Sequence, residues 1–265
     1  MSETASNFIG NIPQNYDKFL GPRIFAAYAK DLAARSREVN PERVLELAAG
    51  TGIVSRELRD TLSADCHLTI TDLNQPMLEV AKGKFTEKEK VSFDTLDATN
   101  LSLERDFFDL VVCQFGIMFF PDKEQSLREA SRVLKNNGVY LFSVWGTWEQ
   151  NPFAKIAHNT VSKFFPNNPP GFYKVPFGYN NVPALEEAVL NNGFRSVSIT
   201  EVKFTSAIPS ATDFATGLVF GNPLFEEITE RAGDPHAVCA AIAADIEEHL
   251  GAAMPIQALI IKAVK

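Results

Sequence analysis

Between residues 40 and 145 short apolar runs alternate with segments of helical periodicity, and this alternation constrains the fold more than any other feature. Such a pattern reads as successive βαβ units that build a parallel sheet. The spacing predicts strands at 43–47, 67–71, 91–95, 108–114 and 139–145. Helices are predicted at 53–62, where Val54, Leu58 and Leu62 share a face, and from about 76 to 84, with Pro76 in the first turn. Asp122 opens another helix, Gln125 completes a capping-box pattern, and Asn136-Asn137-Gly138 is expected to end it. The 108–114 run is apolar on both faces, as a strand inside a parallel sheet must be.

Outside this block the periodicity is looser. Ile24, Tyr28 and Leu32 recur at helical spacing and predict a helix over 22–35 in an N-terminal arm. Residues 153–165 read as helix and lead into a Pro-, Gly- and Asn-rich stretch reaching 181, long enough to serve as a lid. A helix at 183–192, a strand at 197–204 and a final strand at 256–264 follow. Between those strands, 211–250 is mostly helical, broken at Gly221-Asn222-Pro223 and Gly233-Asp234-Pro235. The expected fold is a single α/β domain. It has a Rossmann-like, seven-stranded, mostly parallel sheet with helices on both faces, a helical N-terminal arm, and a lid or cap inserted after strand five. The arm takes 1–39 and the ligand-binding core 40–145. The cap takes 146–182 and 207–254, and the sheet is completed by 183–206 and 255–265.

Charge and cysteine usage narrow the function classes. A net charge of −8, with no run rich in Lys or Arg, lacks the footprint of a nucleic-acid binder. Cys66, Cys113 and Cys239 form no metal or disulfide pattern and read as buried small hydrophobes in a reducing compartment. The most apolar stretch, 107–120, is interrupted by Asp109 and Gln114 and is too short to span a bilayer, so a cytoplasmic protein is expected. The 21 Phe residues, against 5 Tyr and 2 Trp, exceed what is usual, and some of them could line an apolar pocket beside the core.

The first predicted strand runs into Glu46-Leu47-Ala48-Ala49-Gly50-Thr51-Gly52. A glycine-rich turn between strand and helix lets a ligand approach the backbone, because no Cβ stands in the way. Gly50 and Gly52 supply two-thirds of a dinucleotide fingerprint, but Ser55 occupies the third position. Glu46, Asp72 and Asp97 lie at the ends of the first three strands, where open α/β sheets bind ligands. Glu46 would repel a pyrophosphate. An ammonium, a sulfonium, a ribose diol and an adenine amine all seek acceptors, so the crevice suits S-adenosylmethionine better than NAD. Asp72, about twenty residues past the glycines, has the spacing that puts a carboxylate on ribose hydroxyls.

At these residues the chain resembles the class I S-adenosylmethionine-dependent methyltransferases, and within them the ubiquinone and menaquinone biosynthesis branch. The stretches VLELAAGTG, ITDLNQPML, FDTLDATNL, FDLVVCQFGIMFFPD and RVLKNNGVYLFSVW carry the likeness, in order, across 43–145. The resemblance implies that the backbone at Ala48, Gly50 and Gly52 holds the methionine part of S-adenosylmethionine, with Glu46 near its ammonium. It further implies Asp72 on the ribose, Leu73 and Met77 on the adenine, and Asp97 and Ala98 at the adenine amine. Gln114 and Phe115 would sit beside the sulfonium, and the Tyr16-Asp17 pair would close over the cofactor. Expected acceptor walls are Phe19 in the arm, Trp145, Trp148 and Phe153 after strand five, and Phe177 and Tyr179 in the lid. His158 is the candidate general base, on a face that Lys155, Asn159 and Ser162 suggest is partly exposed. No catalytic metal set is visible.

Asn168-Pro169-Pro170-Gly171 resembles the motif of base-methylating enzymes, but it falls after strand five instead of strand four. The implied activity is O-, N- or C-methylation of a small, flat, largely apolar molecule. The partner expectations are a small-molecule acceptor, no nucleic acid, no membrane span, and a homodimer as a possible assembly. The competing readings are a non-methylating or regulatory protein that binds the same cofactor and, further off, an NAD-dependent oxidoreductase.

Overall fold

The computed structural model describes residue 8 and residues 10–265. The opening of the predicted arm, residues 1–7 and 9, lies outside the described residues. Seven strands form one sheet: β1 (Arg43–Glu46), β2 (His67–Asp72), β3 (Val91–Thr95), β4 (Phe108–Gln114), β5 (Leu134–Trp145), β6 (Ser196–Ala207) and β7 (Ala253–Val264). Their order is β3-β2-β1-β4-β5-β7-β6. The first five are mutually parallel, and β7 runs antiparallel to both β5 and β6. The order reverses between β1 and β4, whose central residues pair Val44 with Leu110 and Leu45 with Val111. That reversal opens a crevice at the strands' carboxyl ends.

The helices pack around the sheet because each carries one apolar face. Helix α1 (Ile12–Asn15) runs through a π-helical stretch (Tyr16–Phe25) into α2 (Ala26–Val39), which packs on α3 (Ile53–Thr61) and β4. Helix α4 (Gln75–Lys82) follows β2, and α5 (Lys123–Val133) precedes β5. Beyond β5 come α6 (Pro152–Phe164), α7 (Val182–Asn191), α8 (Ala211–Phe220), α9 (Leu224–Glu230) and α10 (Pro235–His249). Helix α10 packs across α6 and α8, and α8 packs on the π-helical stretch, so the segment expected to form the cap meets the arm. Among the described residues no helix is long and apolar enough to cross a membrane.

Two expectations change. The arm helix starts at Ile12, ten residues before Pro22, and Pro22 lies inside the π-helical stretch. There the bonds reach back five residues, as from the Ala26 N–H to the Gly21 carbonyl, and the wider turn accommodates a residue with no N–H. Helix α5 ends at Val133, and Asn136-Asn137-Gly138 belongs to β5. Phe108 pairs with Leu134 and Leu110 with Val139, so the Asn-Asn-Gly residues bulge outward, with Asn137 at φ 65°. The Asp122 side chain does accept from the Gln125 N–H at 2.8 Å, while the Gln125 side chain turns to Arg128 and leaves the box half-formed.

Candidate functional site

The turn after β1 holds its shape by backbone conformation and by one carboxylate. Ala48, Gly50 and Gly52 all have positive φ (51°, 58° and 79°). The Leu47 N–H donates to the Val112 carbonyl and the Ala49 N–H to the Thr71 carbonyl, each at 2.9 Å, so the turn is pinned to both neighbouring strands. Asp72, at the end of β2, accepts from the Gly50 N–H and the Asn74 N–H, each at 2.8 Å. Burial pushes the Asp72 carboxyl upward, and these main-chain donors oppose the push. The two glycines serve different ends. A Cβ at Gly50 would meet only the Met77 terminal methyl at 3.7 Å, so this backbone faces open space. A Cβ at Gly52 would stand 2.8 Å from that of Ala81, so this glycine lets α3 and α4 pack.

The crevice widens into a cavity that joins the strand ends to the arm and the cap. Ala48, Gly50, Asp72, Leu73, Met77, Asp97 and Ala98 line one half. Tyr16, Gln114 and Phe115 stand at the middle, and Trp145, Phe153 and Phe177 line the far half. Leu73 is 56% exposed, an apolar side chain offered to the opening. Asp97 accepts from the Thr99 N–H and hydroxyl on Oδ1 alone. Behind the cavity a narrow recess is lined by Tyr16, Glu46, Ala48, Thr51, Ile53 and Gln114, among others. Glu46 Oε2 and Gln114 Oε1 are buried there without a hydrogen-bond partner. Thr51 Oγ1 is unpartnered there as well, and polar atoms left unsatisfied in one recess are a costly arrangement that a cationic donor relieves. Burial pushes the Glu46 carboxyl from 4.5 up to about 8; Asp72 adds to the rise, and the Ser55 hydroxyl opposes it.

Tyr16 stacks on Phe25 at 4.7 Å, and burial, then Asp72 and Asp17, hold its phenol neutral. Asp17 forms an ion pair with Lys84, tying the arm to the segment after α4. Phe115 at φ 53° lies flat on Trp145, with ring centroids 3.9 Å apart.

Five predicted residues stand away from these walls, and Gly52, turned to α4, is one of them. His158 is buried, packs 4.8 Å from Trp148, and does not line the cavity; the partly exposed face expected for it is corrected. Lys155 and Asn159 are indeed exposed, but His158, between them in sequence on α6, is buried. Burial and then Lys174 hold its imidazole below the usual range. Trp148 covers His158 instead of the cavity. Phe19 lies under the Lys18 ammonium, and Tyr179 under that of Lys123. The sequence reading missed Phe119 and Phe120 after β4, Phe172 and Tyr173 in the loop, and Leu218 and Asn222 in the cap, all of which line the cavity. The Phe-Phe-Pro run directly after the fourth strand was the available signal. Among the described residues Asp245, Glu248 and His249 on α10 are close enough to hold a metal, but they lie outside the cavity, and Asp245 already takes bonds from Thr160 and Lys163.

In its strand order, the glycine turn on β1, the carboxylate ending β2 and the recess of unpaired polar atoms, the chain resembles the class I S-adenosylmethionine-dependent methyltransferases. Residues 45–142 match the family model described as "Methyltransferase domain". The part of the chain that carries the crevice resembles the ubiquinone and menaquinone biosynthesis branch. Demethylmenaquinone methyltransferase of Thermotoga maritima is 36% identical over 139 residues, 51% of this chain and 58% of that protein. The chain thus spans little more than half the length of that relative. Methyltransferase ktnA of Aspergillus niger is 26% identical over 213 residues, covering 70% of this chain and 69% of its own. Among solved structures, the YcgJ protein of Bacillus subtilis shares the fold, with a TM-score of 0.59 at 18% identity over 90% of this chain and 98% of that one.

Proposed function

We propose that the protein transfers the methyl group of S-adenosylmethionine to a small, flat, largely apolar molecule. One observation carries this reading: a single cavity runs from an acid-lined half to an aromatic half, with Gln114 and Phe115 at the junction. When bound, S-adenosylmethionine supplies a methyl group already activated on a sulfonium, so the protein's work is to hold, orient and exclude water. Glu46 and Gln114 have the free acceptors to receive the ammonium. The Asp72 carboxylate fits the ribose diol, Leu73 and Met77 fit the adenine faces, and Asp97 with the Ala98 backbone fits the adenine amine. Trp145, Phe153 and Phe177 offer ring surfaces to a flat acceptor and keep the site dry. The place of His158 behind Trp148 supports packing over proton transfer.

A thermal melt with S-adenosylmethionine, with its demethylated product, and with NADH tests the cofactor. Either of the first two, at about a hundred times its Kd, should add roughly 2.7 kcal/mol and raise Tm by several degrees. A rise with NADH alone would overturn the reading. Release of S-adenosylhomocysteine across a panel of phenols, quinols and aryl amines then tests the acceptor class, and turnover confined to charged acyclic acceptors would reject it.

A further inference from the structure

The loop 165–181 contributes Phe172, Tyr173, Pro176 and Phe177 to the aromatic half of the cavity, yet it has little regular structure of its own, only a 3₁₀ turn at Phe172–Lys174. Something outside the loop must fix it. At its far end the Asn180 side chain donates to the Gly146 carbonyl at 2.9 Å. At its near end the fixing group is Glu227 on α9, only 7% exposed. One oxygen of Glu227 accepts from the Gly171 N–H at 2.6 Å and the Phe172 N–H at 3.3 Å. Those two amides open the 3₁₀ turn, where a carboxylate satisfies donors that the turn itself leaves unpaired. Arg231 extends the grip: its Nη1 donates to the Glu227 carbonyl at 2.6 Å and its Nε to the Asn168 carbonyl at 2.9 Å. Beside them the Tyr173 hydroxyl and the Asn222 side chain both donate to the Leu218 carbonyl at 2.9 Å. The cap therefore holds the loop by polar contacts behind the wall, and rings face the cavity.

We propose that Glu227 is a positioning residue for acceptor recognition: it holds Phe172 and Tyr173 in place as the cap-side wall, and it does so independently of cofactor binding. The proposal rests on the methyl-transfer reading above. A buried carboxylate is a costly way to fasten a loop, and removing it leaves two amides unpaired next to the pocket. The Gln substitution keeps an oxygen that can accept from both amides.

The test uses the full chain and compares Glu227→Ala, Glu227→Gln and Arg231→Gln. Naphthol, a flat apolar probe, is titrated by quenching of tryptophan fluorescence, to which Trp145 in the cavity wall contributes, and S-adenosylhomocysteine by calorimetry. Glu227→Ala should weaken naphthol by about tenfold and leave S-adenosylhomocysteine within about twofold. Glu227→Gln should restore most of the naphthol affinity. Arg231→Gln, which spares the carboxylate, should show a smaller loss of roughly threefold and keeps the test open should the alanine variant not fold. Amide exchange over 166–177 should quicken in Glu227→Ala and stay slow in Glu227→Gln. Unchanged naphthol affinity in Glu227→Ala, equal losses for both ligands, or no naphthol binding to the wild-type protein would each overturn the proposal. Failure of the wild-type protein to bind S-adenosylhomocysteine would strike the cofactor reading instead, and the naphthol comparison would stand apart from it.

Discussion

A carboxyl group 2% exposed, with one oxygen unpartnered, resists ionising until a cation reaches it, and Glu46 is such a group. With its carboxyl pushed up to about 8 by burial, Glu46 favours the protonated form at pH 7 in the free protein. An ammonium placed in the recess would draw it into the ionised form, so cofactor binding at pH 7 should release up to about one proton. Calorimetry in buffers of different ionisation heat reads this directly, and a binding enthalpy independent of buffer would remove Glu46 from the ammonium site. The folded pKa lies above the unfolded value, so the stabilising contribution is complete below about 4.5 and is lost as pH rises through about 8. Glu46→Gln should abolish both the proton release and this fall in Tm. Asp72→Ala should weaken the cofactor by at least about tenfold, because the same carboxylate that fits the ribose also fixes the Gly50 amide; an unchanged Kd would reject that assignment. These acids are legible in sequence because strand ends are legible, and the carboxyl ends of these strands border the crevice. His158 is not, because side-chain polarity at neighbouring helix positions does not reveal which way the third residue points.

Elements are legible to the extent that their periodicity is uninterrupted. Strands β1 to β4 and helices α3 and α6 to α10 are recovered within a residue or two because apolar spacing alone defines them. Strand β7 gains three residues at its start over the sequence reading. The arm was readable in principle: Ile12, Tyr16, Leu20, Ile24, Tyr28 and Leu32 recur every fourth position, but Pro22 reads as a start when it falls among them. The 139–145 part of β5 was read as a strand, but its first five residues were not, since Asn-Asn-Gly is turn chemistry; pairing of Leu134 with Phe108 and of the chain end with this stretch, where the Lys265 N–H donates to the Gly138 carbonyl at 3.0 Å, makes it part of the strand. The contact of α3 with α4 at Gly52 gives a sharp element-scale expectation. Gly52→Ala imposes a left-handed φ on a side chain and drives its Cβ into Ala81, so it should cost roughly 2–4 kcal/mol, seen as a lower urea midpoint with an unchanged slope. Gly50→Ala has the same backbone penalty but open space around it, so it should lose about 1 kcal/mol of stability while hindering the cofactor, the reverse balance. Equal stability losses for the two would mean that packing against Ala81 is not what Gly52 is for.

On the scale of the whole molecule, the cavity is assembled from three stretches far apart in sequence: the arm, the ends of β1 to β5, and the segments beyond β5. Phe8 shows how they meet. Its N–H donates to the Asn74 side chain beside Asp72 at 3.3 Å, and its ring stands edge-on to both Tyr16 and Phe119. The arm is thereby laid across the mouth, held by the Asp17–Lys84 ion pair and by the packing of α8 on the π-helical stretch. A ligand in the crevice adds contacts to the arm and to the glycine turn at once, while β6 and β7 share none of them. Ligand binding raises the free energy of every opening that requires release of the ligand, so protection should appear where the ligand bridges elements and nowhere else. S-adenosylhomocysteine should therefore slow amide exchange across 12–25, 47–53 and 72–78 together, and leave 196–207 and 253–264 at their free rates. Lys84→Met, which removes the arm's tether without touching the cavity lining, should speed exchange in 12–25 and raise the ligand's dissociation rate more than it lowers its association rate. Protection confined to 47–53 and 72–78, with the arm unaffected, would mean that the arm packs on the site without closing it.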